Sequence, residues 1–293
     1  MALPATIWFA VFSYLPMFGL VIAFKEYRYS RDGFFASIVR SEWIGLDNFK
    51  FLFRTDDALI ITRNTLLYNA AFIVLGLILS VAMAIILSEI ANKRMSKLYQ
   101  TGMFLPHFLS WVIVGYFVFS FLSYDRGVLN QFLKAVGLDP IQWYHDPSWW
   151  PLILIVVQLW KTVGYNSVIY LASIMGIDRS LYEAAAIDGA NKWQQIRNIT
   201  IPLLKPIIVI LTLLSIGRIF YADFGLFYQV PRDSGTLYAV TNVIDTYVYR
   251  GLKTTGEIGM STAAGFYQSL VGFILVVASN AIVRKINKDY ALY

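Results

Sequence analysis

The chain has 293 residues, of which 58% are hydrophobic and only 14% are charged, and its mean hydropathy is +0.59. This composition excludes an ordinary soluble domain and indicates an integral membrane protein. The sequence contains no cysteine, which excludes disulfides and cysteine nucleophiles, and its two histidines are too few for a histidine-built metal cluster. The net charge of +6 fits the basic flanks of membrane spans better than a nucleic-acid surface.

A transmembrane helix needs about 20 mostly apolar residues, and six stretches of the sequence meet this requirement. They lie at about 2–24, 59–88, 101–122, 151–176, 203–220 and 260–283. We therefore predict an all-α membrane protein with six transmembrane helices in a single domain over residues 1–293. The first stretch has no basic region before it and no cleavage site, which favours a span over a signal peptide. It also lacks a basic flank, so we expect a short native segment to precede it.

Two sets of loops alternate along these spans. One set carries 9 basic residues in 45 positions, and the other carries 11 in 100. The first comprises 91–100, 177–201 and 284–293, and the second comprises 25–58, 124–150 and 221–259. Lysine and arginine concentrate in cytoplasmic loops, so we expect the first set to face the cytoplasm. On the other side, Trp143, Trp149 and Trp150 precede the fourth span and indicate an interfacial aromatic belt.

The loop between the fourth and fifth spans contains the most ordered pattern in the sequence, Glu-Ala-Ala-Ala-Ile-Asp-Gly at 183–189. Asp178 or Ser180 can cap a short helix over this run, and Gly189 can end it. Asn191 can cap a second short helix through 192–198, which we expect to end before the fifth span begins. Small alanine side chains allow another protein to approach closely. The residues alone leave two roles open, a docking surface for a soluble partner and an ordinary helix at the membrane surface.

The spacing of Glu183-Ala184-Ala185, Gly189 and Ile199-x-Ile201-Pro202 resembles the EAA signature of ABC-importer permeases, with Ile201 where the common pattern has leucine. Further matches extend along nearly the whole chain. They include Pro16-Met17-Phe18-Gly19, Gly45-Leu46-Asp47-Asn48-Phe49, Leu105-Pro106-His107-Phe108 and Trp160-Lys161. Together these motifs resemble the LplB-type oligosaccharide and polysaccharide permeases of the carbohydrate uptake (MalF/UgpA-like) group.

The resemblance implies a type I ABC importer permease (MetI-like) fold in the bacterial cytoplasmic membrane, with a cytoplasmic EAA coupling helix in the loop 177–201. It implies that this helix docks on an ATPase through Glu183, Ala184, Ala185, Asp188 and Gly189. The implied partners are a second homologous permease, two cytoplasmic ATPase subunits, an extracellular solute-binding protein and a saccharide, and no nucleic acid is expected. The chain has no Walker-type sequence, so we expect it to be non-catalytic and to leave ATP and Mg to the partner ATPase.

A stripe of polar side chains in the fourth span is the candidate substrate pathway. Its members recur at i, i+3, i+4 and i+7, and they are Gln158, Lys161, Thr162 and Tyr165. Such groups can bind sugar hydroxyls, whereas helix packing is their alternative role. Arg218 and Tyr221 are a second candidate wall, with snorkelling as the alternative for Arg218. Pairing with carbonyls or a neighbouring subunit is the alternative for Lys161. The sequence does not decide between an acidic and a neutral saccharide.

Three other classes of function are compatible with a multi-span chain. An ion-coupled secondary transporter of a small polar solute uses a carboxylate inside the membrane, whereas Glu89 and Asp223 lie at span ends and the span interiors contain none. A membrane enzyme needs a nucleophile and base at depth, and a channel needs a filter-like glycine run or a ring of charges. The sequence contains neither pattern. The secondary transporter remains the main alternative to an ATP-driven importer.

Overall fold

The computed structural model describes residues 3–50, 56–254 and 256–286. Within these ranges, five helices are long and apolar enough to cross a membrane. They are Leu3–Phe24, Ala58–Glu89, Pro147–Met175, Lys192–Ile216 and Ile258–Lys285. A sixth crossing is present if the bent pair Lys93–Phe108 and Trp111–Leu122 forms one span.

The described elements follow one another in a mostly helical order. The first half contains α1 (Leu3–Phe9, continued by a π-helical turn Ala10–Tyr14 and a 3-10 segment Leu15–Phe24), β1 (Lys25–Glu26), α2 (Phe34–Arg40), β2 (Glu42–Trp43), a 3-10 turn Asp47–Phe49, α3 (Asp56–Glu89), α4 (Lys93–Phe108), α5 (Trp111–Leu122), and α6 (Val128–Ala135). The second half contains a 3-10 turn Pro147–Trp149, α7 (Trp150–Met175), α8 (Arg179–Ile187), α9 (Lys192–Gln195), a π-helical turn Ile196–Thr200, α10 (Ile201–Ile216), α11 (Phe224–Gln229), a 3-10 turn Gly235–Leu237, α12 (Tyr238–Thr241), α13 (Ile244–Thr254) and α14 (Ile258–Ile286).

The loop after the first span is fixed to the end of that span. Strands β1 and β2 pair antiparallel, with Lys25 opposite Trp43. The Asn48 side chain then donates hydrogen bonds to the carbonyls of Ile22, Ala23 and Lys25 at 3.3, 3.0 and 2.9 Å. The last carbonyls of a helix have no partner inside the helix, so Asn48 satisfies the end of the first span. This contact gives a physical reason for the asparagine in the motif at 45–49.

The third span differs from its predicted form. The sequence pattern predicts one span over 101–122, but a 98° bend between α4 and α5 interrupts it. Leu109 and Ser110 adopt extended backbone conformations, and the Ser110 side chain accepts a hydrogen bond from the Ile113 amide to start α5. Pro106 lies in the last turn of α4, where its missing N–H weakens the helix. Hydropathy does not register such a break because the residues on both sides of it are apolar.

The fifth span also begins and ends earlier than the predicted 203–220. Helix α9 continues through the π-helical turn into α10, so the second helix of the preceding loop is continuous with the span instead of ending before it. In this turn the Ile201 amide donates to the Ile196 carbonyl five residues back. A wider turn of this kind accommodates Pro202, which has no N–H for the normal helical bond. The helix ends at Ile216, and residues 217–220 form turns.

The helices α3 and α7 pack side by side and form the centre of the domain. At one end, Trp150 and Leu154 are fully buried against Tyr68 and Val114. At the other end, a second buried cluster joins the last turns of α3 and α7 to the start of α10. Helix α4 approaches α7 closely at Gly164, where an added Cβ would lie 1.9 Å from the Met103 carbonyl oxygen.

Candidate substrate pathway and coupling segment

A cavity of about 520 Å³ lies between α3, α7 and α10. Its volume is within the usual range of small-molecule sites. Apolar side chains form much of the wall, but polar ones from all three helices also face the space. The polar lining residues are Asn69, Ser80, Gln158, Thr162, Asn166, Thr212, Ser215, Arg218 and Tyr221. The helices therefore line a polar space, partly open to the outside of the chain, within the part of the chain that is apolar enough to cross a membrane.

Four of the six predicted pathway residues line this cavity. Gln158 and Thr162 lie one turn apart on α7, and Arg218 and Tyr221 follow the end of α10. The cavity thus joins the predicted stripe and the predicted second wall in one space. The assignment of these side chains to a substrate remains a prediction, because placement alone does not identify a ligand.

The sequence reasoning missed the contribution of α3. Asn69 lines the cavity and donates hydrogen bonds to the carbonyls of Ile219 and Tyr221 at 2.9 and 3.2 Å. It thereby fixes the chain just after α10, where Arg218 and Tyr221 are located. An asparagine inside an apolar span is itself a signal of a polar partner or cavity. The uncharged polar residues of the second span, Asn69 and Ser80, are therefore the sequence signal that this span contributes to the cavity.

Three of the cavity-lining residues carry a polar group without a partner among the described residues. The Ser80 hydroxyl and the Gln158 side-chain carbonyl are buried and unbonded. The Arg218 guanidinium has no hydrogen-bond or ion-pair partner in the same part of the chain. Buried polar groups in native proteins are nearly always hydrogen-bonded to protein, water or ligand. The Arg218 side chain is exposed and offers a cation to whatever fills the space, whereas the Ser80 hydroxyl and the Gln158 oxygen have almost no accessible surface.

Lys161 belongs to a different site from the rest of the stripe. Its ammonium nitrogen donates to the carbonyls of Pro106, His107 and Leu109 at 3.2, 2.8 and 2.5 Å. It also lies 5.1 Å from the centre of the Trp111 ring. Lys161 therefore satisfies the broken end of α4. This contact agrees with the carbonyl pairing that the sequence left open, and the geometry does not bring Lys161 to the cavity.

Tyr165 likewise faces α4. Its ring stacks on the His107 ring, with the centroids 4.2 Å apart and the planes 11° from parallel. The predicted stripe on α7 thus divides between two sides of the helix. Because a polar stripe of this width can serve both a cavity and a helix contact, the sequence alone does not separate these two uses.

The segment that follows α7 forms the predicted capped helix. Of the two candidate caps, Asp178 is the one used, and its carboxylate accepts a hydrogen bond from the Ser180 amide at 3.0 Å. Hydrogen bonding from Ser180 lowers the pKa of the Asp178 carboxyl below its usual value. Gly189 ends the segment in a left-handed conformation at φ +80°, which glycine adopts without strain.

The predicted coupling residues are mostly accessible. Glu183, Ala184, Asp188 and Gly189 are exposed, and Ala185 is half-buried. The most exposed of the large apolar side chains on this helix is Ile187, at 87% exposure. The residues thus form an open surface with small side chains and an apolar projection. Docking to an ATPase remains a prediction for this surface.

Two contacts connect segment 177–201 to the spans. The Tyr182 hydroxyl lies 2.9 Å from the Thr200 hydroxyl, which joins α8 to the start of α10. Lys192 forms an ion pair with Glu89 at the end of α3, with a distance of 2.9 Å between nitrogen and oxygen. The ends of all three cavity helices are therefore adjacent to this segment. Within the described ranges, no group of three or more histidine or acidic side chains could hold a metal ion.

A multi-pass helical domain with a polar cavity among its spans and an exposed capped helix has the architecture of a membrane transport permease. Residues 73–288 match the family model of the binding-protein-dependent transport system inner membrane component. The chain belongs to this family.

Relatives and a solved structure agree with this assignment. The chain is 35% identical over 289 residues to the polygalacturonan/rhamnogalacturonan transport system permease protein YteP of Bacillus subtilis (strain 168), covering 99% of this chain and 88% of the relative. It is 32% identical over 287 residues to protein LplB of the same strain, covering 98% and 88%. A crystal structure of a bacterial ABC transporter that imports the acidic polysaccharide alginate matches with a TM-score of 0.86 and 36% identity, covering 97% of this chain and 94% of that chain.

These findings confirm the predicted family and fold class. The chain is a multi-pass inner membrane permease subunit of the ABC-importer type and has no catalytic role of its own. In such importers the ATPase is a separate subunit. A second structure of the alginate transporter contains an alginate pentasaccharide-bound periplasmic protein and matches with a TM-score of 0.86 and 35% identity, covering 98% of this chain and 93% of that chain.

Proposed function

We propose that this chain is a permease subunit of an ATP-driven importer that takes up an oligosaccharide or polysaccharide fragment by alternating access. An extracellular binding protein delivers the saccharide, and a second permease completes the pathway as a heterodimer. Two cytoplasmic ATPase subunits hold ATP and Mg. The names of YteP and of the alginate transporter support a carbohydrate cargo.

The observation that carries this proposal is the polar lining that three helices supply to the cavity. A sugar ring presents hydroxyls that both donate and accept hydrogen bonds. The Asn166 amide and the Thr212 hydroxyl line the cavity from α7 and α10, and both residues are only half-buried. A hydroxylated cargo could exchange hydrogen bonds with such groups as it passes, and an apolar cargo could not.

We further propose that the saccharide is acidic. Arg218 is the one charged residue among the cavity-lining residues that the structure describes, and its guanidinium faces the space unpaired. A cation in an apolar membrane domain is costly unless it meets an anion, and a guanidinium matches the planar geometry of a carboxylate. A uronate-containing chain would supply that group. The names of YteP and of the alginate transporter point to the same class of cargo.

The exposed segment 177–201 is the proposed contact through which the ATPase moves the spans. We propose that Glu183, Ala184, Ala185, Asp188 and Gly189 dock on an ATPase subunit on the cytoplasmic side, as the basic loops of that side suggest. Movement of the ATPase would reach α3, α7 and α10 through the contacts at Glu89, Tyr182 and Thr200. Rigid-body motion of the spans about the cavity is the expected form of alternating access.

The test of the cargo uses proteoliposomes that contain the chain, its partner permease and ATPases, with the binding protein outside. We expect uptake of oligogalacturonate or alginate fragments only with ATP at the ATPase side. Arg218→Gln should lower acidic uptake on the order of tenfold or more, because a charge-assisted hydrogen bond contributes about 1.5–3 kcal/mol. Arg31→Gln, at an exposed arginine of the first loop, is the matched control and should leave uptake unchanged.

Either of two results would count against the cargo proposal. Equal uptake of acidic and neutral oligosaccharides, unaffected by Arg218→Gln, would contradict the proposed specificity for acidic saccharides. Transport of any solute by this chain without its partners would contradict the ATP-driven mechanism and favour the secondary transporter.

The test of coupling uses charge changes on the exposed segment. We expect Glu183→Lys and Gly189→Asp to abolish ATP-dependent uptake while the protein stays inserted in the membrane. Gly189→Asn is the control for backbone effects, because asparagine tolerates the left-handed conformation at φ +80° and adds no charge. Full uptake by the Glu183→Lys variant would contradict the docking role.

A further inference from the structure

The short helix α6 has its polar and apolar faces reversed relative to a helix that packs on its own protein. Its most buried residue is Asn130, at 1% exposure. The opposite face and the turn that follows carry five apolar side chains, each at least 39% exposed. They are Val128, Leu129, Phe132, Val136 and Leu138. In a globular packing the apolar stripe of a surface helix faces the protein, so this outward face requires an apolar environment outside the chain.

Hydrogen bonds hold α6 in this orientation. The Asn130 amide group donates to the carbonyls of Tyr124 and Ile141 at 3.2 and 2.9 Å. Its carbonyl oxygen accepts from the Ile141 amide and from the Trp143 indole, both at 3.0 Å. All four hydrogen-bonding positions of the side chain are therefore used. Rotating α6 to bury its apolar face would break these bonds, so the outward direction of that face is built into the fold.

Further contacts connect α6 to neighbouring helix ends. The Trp150 indole donates to the Trp143 carbonyl at 2.6 Å, and Trp150 is the first residue of α7. On the other side, only residues 123–127 separate α6 from the end of α5. Helix α6 is thus attached to the ends of two membrane helices, close to the exposed Trp149. Tryptophan is enriched where the lipid headgroups meet the acyl chains.

We propose that the apolar face of α6 inserts into the boundary between headgroups and acyl chains, in the leaflet opposite segment 177–201. A helix of this kind lies in the plane of the membrane with its apolar side buried about 5–10 Å into the boundary. Segment 124–140 contains two acids, Asp125 and Asp139, and two bases, Arg126 and Lys134. Its net charge is zero, so the apolar area drives the insertion and anionic lipid is not required. This inference does not depend on the identity of the cargo.

The absence of cysteine from the sequence allows a direct test. Phe132→Cys and Lys134→Cys, each in the complete transporter in nanodiscs, give this chain a single thiol for spin-labelling, and the same transporter with the unsubstituted chain gives the background signal of its partners. Both positions are exposed, so neither change disturbs packing. We expect the label at 132 to collide several-fold more with oxygen, relative to a water-soluble nickel chelate, than the label at 134. The difference should be the same in zwitterionic and in anionic nanodiscs.

Three outcomes would overturn the proposal. A label at 132 that the nickel chelate reaches as readily as it reaches 134 would place the face in water. A label shielded from both oxygen and nickel would show that a protein partner covers the face. An oxygen preference that appears only with anionic lipid would show that charge, not apolar area, drives the contact.

Discussion

Replacing Lys161 by methionine tests whether this lysine holds the broken third span together. Methionine keeps most of the aliphatic stem and removes only the ammonium group. The ammonium donates to three carbonyls at the end of α4, and its residue is only 8% exposed. The variant therefore isolates the hydrogen bonds from the packing of the side chain.

The expected magnitude follows from the carbonyls that lose a donor. The Pro106 carbonyl also accepts from the Leu109 amide at 3.2 Å, so the loss falls mainly on the carbonyls of His107 and Leu109. A buried carbonyl without a partner costs about 1–3 kcal/mol, which gives about 2–6 kcal/mol for two. Removing a buried ammonium also returns part of its desolvation cost. We expect a net loss of about 2–4 kcal/mol in the free energy of unfolding.

Reversible unfolding of the purified permease complex in mixed detergent measures this loss. Lys205→Met is the matched control, because Lys205 is exposed on α10, and it should unfold like the parent protein. Lys161→Arg keeps the charge and donors and should retain part of the stability. The Lys205→Met control is expected to unfold at the same detergent concentration as the parent protein. If the Lys161→Met variant also does so, Lys161 does not stabilise the bend between α4 and α5, and the reasoning is refuted.

Three further predictions concern the helix contacts and caps. Gly164→Ala should cost about 1–3 kcal/mol by overpacking against α4, whereas Gly102→Ala, with open space around the added carbon, should be neutral or stabilising in the same unfolding assay. Asn191→Ala removes a capping box and should cost about 1 kcal/mol, seen as faster hydrogen exchange at the Gln194 amide. The pKa of the Asp178 carboxyl is lowered in the folded protein, so the stability that its cap contributes should be fully present above the usual carboxyl pKa of 3.8. This contribution should be lost as the pH falls through the lower folded pKa. A carbon-13 titration of Asp178 that gives a pKa at or above 3.8 would contradict this prediction.

The coupling segment was predictable because its determinants are local. A cap, a run of alanines and a glycine act within a few residues of one another, so their spacing in the sequence is also their spacing in the structure. A capped helix over this run and its end near Gly189 follow from this pattern. Only the choice between Asp178 and Ser180 as cap required the structure.

The lining of the cavity was predictable only in part, because its determinants are not local. The pattern in α7 correctly indicated polar groups near Gln158 and Thr162, but it placed Lys161 and Tyr165 with them. Which side of a helix faces a cavity depends on the neighbouring helix. The bend between α4 and α5 leaves carbonyls without a helical partner, and these carbonyls accept hydrogen bonds from Lys161. Asn69 enters the cavity from α3, more than 80 residues before α7, and only packing brings the two helices together.

By itself, the sequence determined that the chain crosses a membrane several times and carries an ordered helix between its fourth and fifth spans. Composition and local spacing suffice for these features, because burial in lipid and helix capping depend on residue type and short-range order. Only the tertiary structure decided that the third span is broken, that Lys161 caps the break, and that the apolar face of α6 points away from the protein. These features depend on which polar groups find a partner elsewhere in the chain, and hydrogen bonding between distant segments decides that.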